Sequence, residues 1–466
     1  MHDIRVVVFA MAVAACGSSS GGAIPDEQMG PVPTALQVSL SASSVDAGRT
    51  VTATATALDQ HGAPIAVPSL TWSTSHPEVA TVDAQGGVIA AGPGDVAIVA
   101  TSGSLTATAP LTVAAAALGA CLLPGPQFGV GLGFPRINGR ARSTGDVRVT
   151  VLFVDFSDAI ATRTPESVFS IISPGAEQYF DAVSYGRMRL SFDPHFAWLR
   201  MSKPTNAYGW DALTFGLHKT YIQEAVDLAG PGVDVSASEA ILVVANPDAT
   251  GIPFGPTFIA NPGDGVVVGG KRFDNAVTSG HDLLFWGSYW FNHEFGHSMS
   301  LVDLYDFAVP TNPEQFHFVG DFSMMGNIAG QGREYLGWER WLLGWVADDQ
   351  VLCAEKGHTA AMLTPVEAAG GKKLVVVRTG ATTAVVIENR RSAGYDSALP
   401  NQGLLVYFID TSIDTGNGVV KILPVADSDL HKLTAPLAVG QSLTFAQVTV
   451  AFTSHDAGGD RVDVMY

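Results

Sequence analysis

Between residues 34 and 113 apolar and polar positions alternate in short runs, at 36–40, 50–58, 69–73, 80–82, 88–90, 97–101 and 105–113, with turn residues between them. Period-two runs of this length and spacing predict a β-sandwich, each strand burying one face. Residues 114–144 lose the alternation, are rich in glycine and proline, and read as a linker packed against the next domain. At Val147 the pattern changes again. Residues 147–156 are nearly continuously apolar, as a strand buried on both faces must be. Helical spacing follows at 166–183 and 211–229, then a second buried strand at 240–245, so this stretch predicts an α/β domain. Residues 283–299 read as one helix with Asp282 as its N-cap. That helix is strongly aromatic, yet Asn292, His293, Glu294 and His297 interrupt it and exclude a membrane span. After Trp345 the runs 374–377, 384–388, 403–409, 419–423 and 448–452 predict an all-β domain, a second sandwich. The expected boundaries are 34–115 for the first sandwich, 116–145 for the linker, 146–348 for the α/β domain and 349–466 for the C-terminal β domain.

Composition narrows the function classes. A hydrophobic fraction of 47% over 466 residues supports several packed cores rather than a disordered chain. Only 25 Lys and Arg stand against 44 Asp and Glu, a net charge of −19, and no basic run exists, which argues against a nucleic-acid partner. Residues 4–15 are apolar apart from Arg5 and end in Val13-Ala14-Ala15-Cys16-Gly17. Such a segment is an export signal, too short to span a bilayer stably. Its end resembles a bacterial lipobox, which implies a signal peptide over 1–16, a lipidated Cys16 and a flexible tether over 17–33; an ordinary secretory signal is the alternative. The expected place of work is the bacterial cell envelope or the extracellular space, with membrane contact only through the lipid. Cys121 and Cys353 remain. In an exported chain they invite a disulfide, the other readings being two buried thiols or a Cys121 thiolate that caps a metal.

The densest chemistry is His293-Glu294-Phe295-Gly296-His297. Histidines at i and i+4 lie on one helix face and can hold one zinc ion, while Glu294 sits where its carboxylate can take a proton from a metal-activated water. Asp303 falls where the longer signature His-Glu-x-x-His-x-x-Gly-x-x-(His/Asp) places a third ligand, with Asp306 as competitor. Three protein ligands leave a fourth position for water, as a catalytic zinc requires. Ser323-Met324-Met325-Gly326 offers a methionine turn beneath the metal, with Met325 the better match and Met324 as core filler. Ser300 replaces the signature glycine at the point where the chain must leave the helix sharply, which puts that loop's geometry in question. A substrate would lie along an edge strand, for which 265–269 is a weak candidate.

Two family resemblances extend this reading. Trp72-Ser73-Thr74-Ser75-His76-Pro77-Glu78-Val79-Ala80-Thr81-Val82-Asp83 with Gly87-Val88 resembles the bacterial group 2 Ig-like domains, which implies an Ig-like sandwich acting as a spacer or adhesion unit. Phe153-Val154-Asp155-Phe156-Ser157-Asp158, Tyr179-Phe180 with Ser184-Tyr185-Gly186-Arg187, His293 to Asp306, Met325, Leu343-Gly344-Trp345, Glu388-Asn389-Arg390-Arg391, Gly394-Tyr395-Asp396 and Gly403-Leu404-Leu405-Val406-Tyr407 resemble the immune-inhibitor-A-like secreted metallopeptidases. That resemblance implies a zincin-like catalytic domain and a zinc endopeptidase acting on protein or peptide substrates. It also brings calcium into view, although no Asp-rich loop of EF-hand type marks a place for it. The competing expectation is a surface adhesion protein whose peptidase-like domain is inactive.

Overall fold

The computed structural model describes residues 30–46, 50–77, 79–90, 94–114, 119, 121–309, 311–354, 356–424, 428–456 and 459–466. The expected signal segment with Cys16, and the tether as far as residue 29, lie outside them. The chain divides into two compact units, Met1–Ala117 and Leu118–Tyr466.

The first unit is mostly β and has the expected two sheets. One runs Ala35–Leu40, Thr50–Leu58, Gly87–Ala90, Ala80–Val82, with Pro64–Ile65 beside the second strand; the other runs Ser44–Asp46, Leu105–Ala114, Gly94–Ser102, Thr71–Thr74. Alternation works as the sequence implied. Val96, Ile98, Leu111 and Val113 point inward against Val51, Ala53, Val88 and Ala90, and their neighbours in sequence point out.

In the second unit a five-stranded sheet runs in the order Met188–Arg200, Gly145–Asp155, Ala240–Ala245, Asn275–Thr278, Thr257–Ile259. The first four strands are parallel and Thr257–Ile259 is an antiparallel edge. Val147, Val149, Val151 and Phe153 face one core, while Leu152, Val154 and Phe156 face another built with Tyr221, Ile222 and Ala225 of the helix Phe215–Ala229. Burial on both faces explains the unbroken apolar runs. The strand Met188–Arg200 is missing from the sequence reading because it is an edge strand carrying Pro194 and half-exposed polar positions, which blurs its alternation.

Two helix expectations need correction. The helix expected over 166–183 is two, Pro165–Phe169 and Gly175–Val183, because Pro174 has no amide to continue the ladder. The helix expected over 283–299 is also two, Leu283–Trp286 and Ser288–Ser298, parted by Gly287 at φ 59°. Asp282 makes no capping bond there; its Oδ2 accepts from the Gly255 amide at 3.1 Å. The stretch 265–269 is no cleft edge either, since Val266–Val268 pairs only with Lys271–Phe273 in a separate hairpin.

The C-terminal stretch is a sandwich of two sheets. One runs Val351–Cys353, Leu374–Arg378, Thr383–Arg390, Gly403–Asp410, Val420–Ile422; the other His358–Leu363, Gly459–Met465, Val448–Asp456, Ser442–Phe445. Val375, Val377, Val385, Ile387, Leu404 and Val406 fill the space between the sheets. Their neighbours Leu374, Val376, Ala384, Val386, Leu405 and Tyr407 turn the other way and belong to the same core as the helix Ser288–Ser298. The stretches expected as separate domains at 146–348 and 349–466 therefore share one core.

Buried charge crosses this shared core. Glu388 accepts from the Gly337 amide at 2.7 Å and from the Tyr407 hydroxyl at 2.9 Å, capping the short helix Gly337–Leu342 from the neighbouring sheet. Arg390, fully buried, pairs with Glu388 and Asp396, and Arg340 pairs with Glu334. Glu388, Arg390, Asp396 and Tyr407 are all fully buried in this network. The linker packs down as expected, and Cys121 forms a disulfide with Cys353 across 232 residues.

Closing so long a loop restricts the unfolded chain, a stabilisation of about 2–5 kcal/mol. Thiol reductant should therefore lower the unfolding midpoint of the purified protein, followed by tryptophan fluorescence. A midpoint unmoved by reductant would show that the bond contributes nothing.

Candidate metal centre

The helix Ser288–Ser298 carries His293 and His297 one turn apart, their rings 4.9 Å between centroids. Helical periodicity alone would leave both rings free to rotate; the backbone around them does not. His293 Nδ1 lies 2.9 Å from the Met324 carbonyl and His297 Nδ1 lies 2.8 Å from the Leu301 carbonyl. In a neutral ring the nitrogen facing a carbonyl carries the proton, which leaves Nε2 as the lone pair that a metal would take. Both Nε2 atoms face Asp303 Oδ1, at 3.1 and 3.3 Å. One ligand atom from each of the three residues lies within 4.8 Å of the others, and among the described residues no second such cluster of His, Cys, Asp or Glu occurs.

Two imidazoles and a carboxylate are the donor set of a catalytic zinc, and the fixed tautomers fit it. Without metal the three residues hold one another electrostatically. Burial opposes charge on His297, but the adjacent Asp303 carboxylate overrides it and raises the imidazole to about 9. Burial likewise works to raise Asp303, yet His297 and His293 hold it well below the usual carboxylate range. Asp306, the competing ligand, turns away: its carboxylate lies 3.5 Å from His317 and accepts from the Ala308 amide.

The helix ends in a way that brings Asp303 back. The Leu301 amide bonds the Gly296 carbonyl at 3.0 Å and the Ser300 amide bonds the His297 carbonyl at 2.8 Å, the two bonds of a Schellman cap. That cap needs a left-handed residue, and Ser300 supplies it at φ 97° although it carries a Cβ. Ser300 also donates its hydroxyl to the Gly131 carbonyl at 3.2 Å and accepts the Gly131 amide at 2.8 Å. Ala141 and Arg136 of the same linker segment bond the Ser298 and Met299 carbonyls. Carbonyls that a helix end would leave orphaned are thereby satisfied.

Met325 packs against the helix at Gly296. A Cβ on Gly296, between the two histidines, would come within 2.6 Å of Met325 Sδ, so the glycine lets the methionine sulfur sit this close. Met324 does more than fill core, because its carbonyl orients His293.

Glu294 opens onto a cleft of about 570 Å³ that also exposes Phe254, Ile259, Asp282, Trp286 and Tyr305. Burial pushes its carboxyl up, opposed by the two histidines and by the Thr257 hydroxyl. Thr257 Oγ1 sits 2.8 Å from Glu294 Oε2 and 2.6 Å from the Glu294 carbonyl. Asp303 is held from farther along the chain, its amide bonding Thr415 Oγ1 at 2.9 Å. Neither threonine was found from the sequence, since an isolated Thr carries no motif.

Ser300→Ala and Ser300→Gly both remove the hydroxyl, and only glycine removes the left-handed strain. The glycine variant should be the more stable by about 1 kcal/mol, read from chemical denaturation. Equal stability would mean that the conformation costs serine nothing.

No family model matches the sequence, and no curated protein matches it. Among solved structures, domains 4 and 5 of the S-layer protein SbsC are 23% identical over 18% of this chain and 54% of theirs, with a TM-score of 0.17. An intimin mutant of EHEC O157:H7 is 26% identical over 18% of this chain and 50% of its own, with a TM-score of 0.14. The chain spans about half the length of these two, and at such scores the likeness bears on no part of the metal centre.

Proposed function

We propose that the chain is an exported zinc endopeptidase with a zincin-like catalytic core, tethered at the bacterial surface through a lipidated Cys16 and an Ig-like spacer. One observation carries the reading: the Nε2 atoms of His293 and His297 and an oxygen of Asp303 converge at the floor of a cleft beside Glu294. The disulfide agrees with an oxidising compartment.

The residues divide the work. His293, His297 and Asp303 would hold the zinc. When bound, zinc lowers the pKa of its water and polarises the scissile carbonyl. Glu294 accepts the proton of the attacking water and delivers it to the leaving amine, the two halves of general acid–base catalysis. Thr257 keeps that carboxylate aimed into the cleft.

The same threonine begins the edge strand Thr257–Ile259. The ladder bonds from Thr278 to the Pro256 carbonyl and from Ala260 to the Asp274 carbonyl turn residues 256, 258 and 260 toward the sheet. Alternation then turns the amides and carbonyls of Thr257 and Ile259 to the open edge. An extended substrate can add there as a further strand.

Glu294→Ala should keep its zinc, measured by elemental analysis, and lose casein cleavage by at least about 100-fold. Chelator should abolish cleavage by the parent protein and added zinc should restore it. A protein that holds no zinc, or shows no chelator-sensitive cleavage, would instead be the binding protein with an inactive peptidase-like domain.

A further inference from the structure

The loop 411–418, between the strands Gly403–Asp410 and Val420–Ile422 of the C-terminal sheet, reaches the metal centre. Thr415 accepts the Asp303 amide on its Oγ1 at 2.9 Å, and the same hydroxyl lies 3.4 Å from Asp303 Oδ2, placed to donate to it. The Gly416 amide bonds the Asp303 carbonyl at 3.1 Å, and the Phe307 amide returns a bond to the Gly416 carbonyl at 2.9 Å. A Cβ on Gly416 would strike the Phe307 ring at 2.2 Å, so the loop and the segment 303–307 lie in close contact. Asp303 itself follows a helix end and sits in no helix or strand. The Tyr305 hydroxyl, two residues on, also interacts with the Asp303 carboxylate, while each histidine is oriented by a carbonyl close to the centre.

We infer that Thr415 is the positioning residue of the third metal ligand, so that metal affinity is set in part by the C-terminal sheet. This rests on the reading of His293, His297 and Asp303 as a metal site. The physical ground is the chemistry of the hydroxyl. A carboxylate has two oxygens, and both Nε2 atoms face Oδ1. A donor on Oδ2 fixes the rotation that keeps Oδ1 toward them, and an acceptor for the Asp303 amide fixes the backbone that carries the carboxylate. One hydroxyl does both, which valine, its isostere without a donor or acceptor, cannot do. Loss of an outer partner of a metal ligand typically weakens metal binding by about 10–100-fold.

The test measures zinc affinity rather than activity, by competition with a chromophoric chelator, on the full chain as parent, Thr415→Ser, Thr415→Ala and Thr415→Val. Serine keeps the hydroxyl and should stay within about threefold of the parent, while valine and alanine should weaken binding by about 10–100-fold. Unfolding midpoints of the metal-free proteins separate lost positioning from lost fold. Should valine fail to fold, the serine and alanine pair decides, because alanine removes the hydroxyl without adding bulk. If the parent binds zinc and the alanine variant binds it equally well, Thr415 does not position the ligand. If the parent binds no zinc, the metal site itself is wrong, an outcome distinct from the first.

Discussion

The structure around the helix Ser288–Ser298 depends on one constraint: the side chains of His293, His297 and Asp303 are turned to a common point by partners outside the helix. An imidazole on a helix has two usable nitrogens and a free rotation, and a carboxylate in a loop has more freedom still. Here Met324 holds His293, Leu301 holds His297, and Thr415 holds Asp303. Each lock is a hydrogen bond worth about 1 kcal/mol. Their value lies in direction, since each turns a particular atom toward a common point.

Holding the Thr415 bond in place requires the C-terminal sheet to be immobile relative to the helix. The sheet uses both of its faces. One packs the sandwich, and the other joins the core beneath the metal centre. The buried carboxylates and guanidinia at that junction tighten it. Glu388 caps a helix of the other layer, and Arg390 balances both Glu388 and Asp396. Burying such charges is costly on its own, and deleting one partner would leave another uncompensated, a loss of about 3–5 kcal/mol. The network therefore joins two layers that apolar contact also holds together. The disulfide from Cys121 to Cys353 ties the linker to the same sheet, and that linker also closes the end of the helix at Ser300.

Much of this was legible in the residues. The strands 147–156 and 240–245 stand out because burial on both faces leaves no polar position, and the spacing of His293, His297 and Asp303 is a local property that a helix and its cap translate directly into geometry. Ser300 was legible too, as the residue that must take a glycine's conformation. The breaks at Pro174 and Gly287 were open to view as a proline without an amide and a glycine free to take positive φ, but the sequence reading ran each helix across them. Asp282 resembles an N-cap by position, but a nearer backbone amide on another segment claims its carboxylate.

The sequence by itself determined the grouping of His293, His297 and Asp303 with Glu294 beside them, and the sandwich alternation, because each is written in spacings of a few residues. Tertiary structure alone decided which strand forms the edge of the cleft, that Thr257 and Thr415 bond Glu294 and Asp303, and that the α/β and C-terminal β stretches share a core. Those contacts join residues 37 and 112 positions apart. A single hydroxyl has no periodicity to announce it, so its role exists only once the sheet order and the core have brought it to its partner.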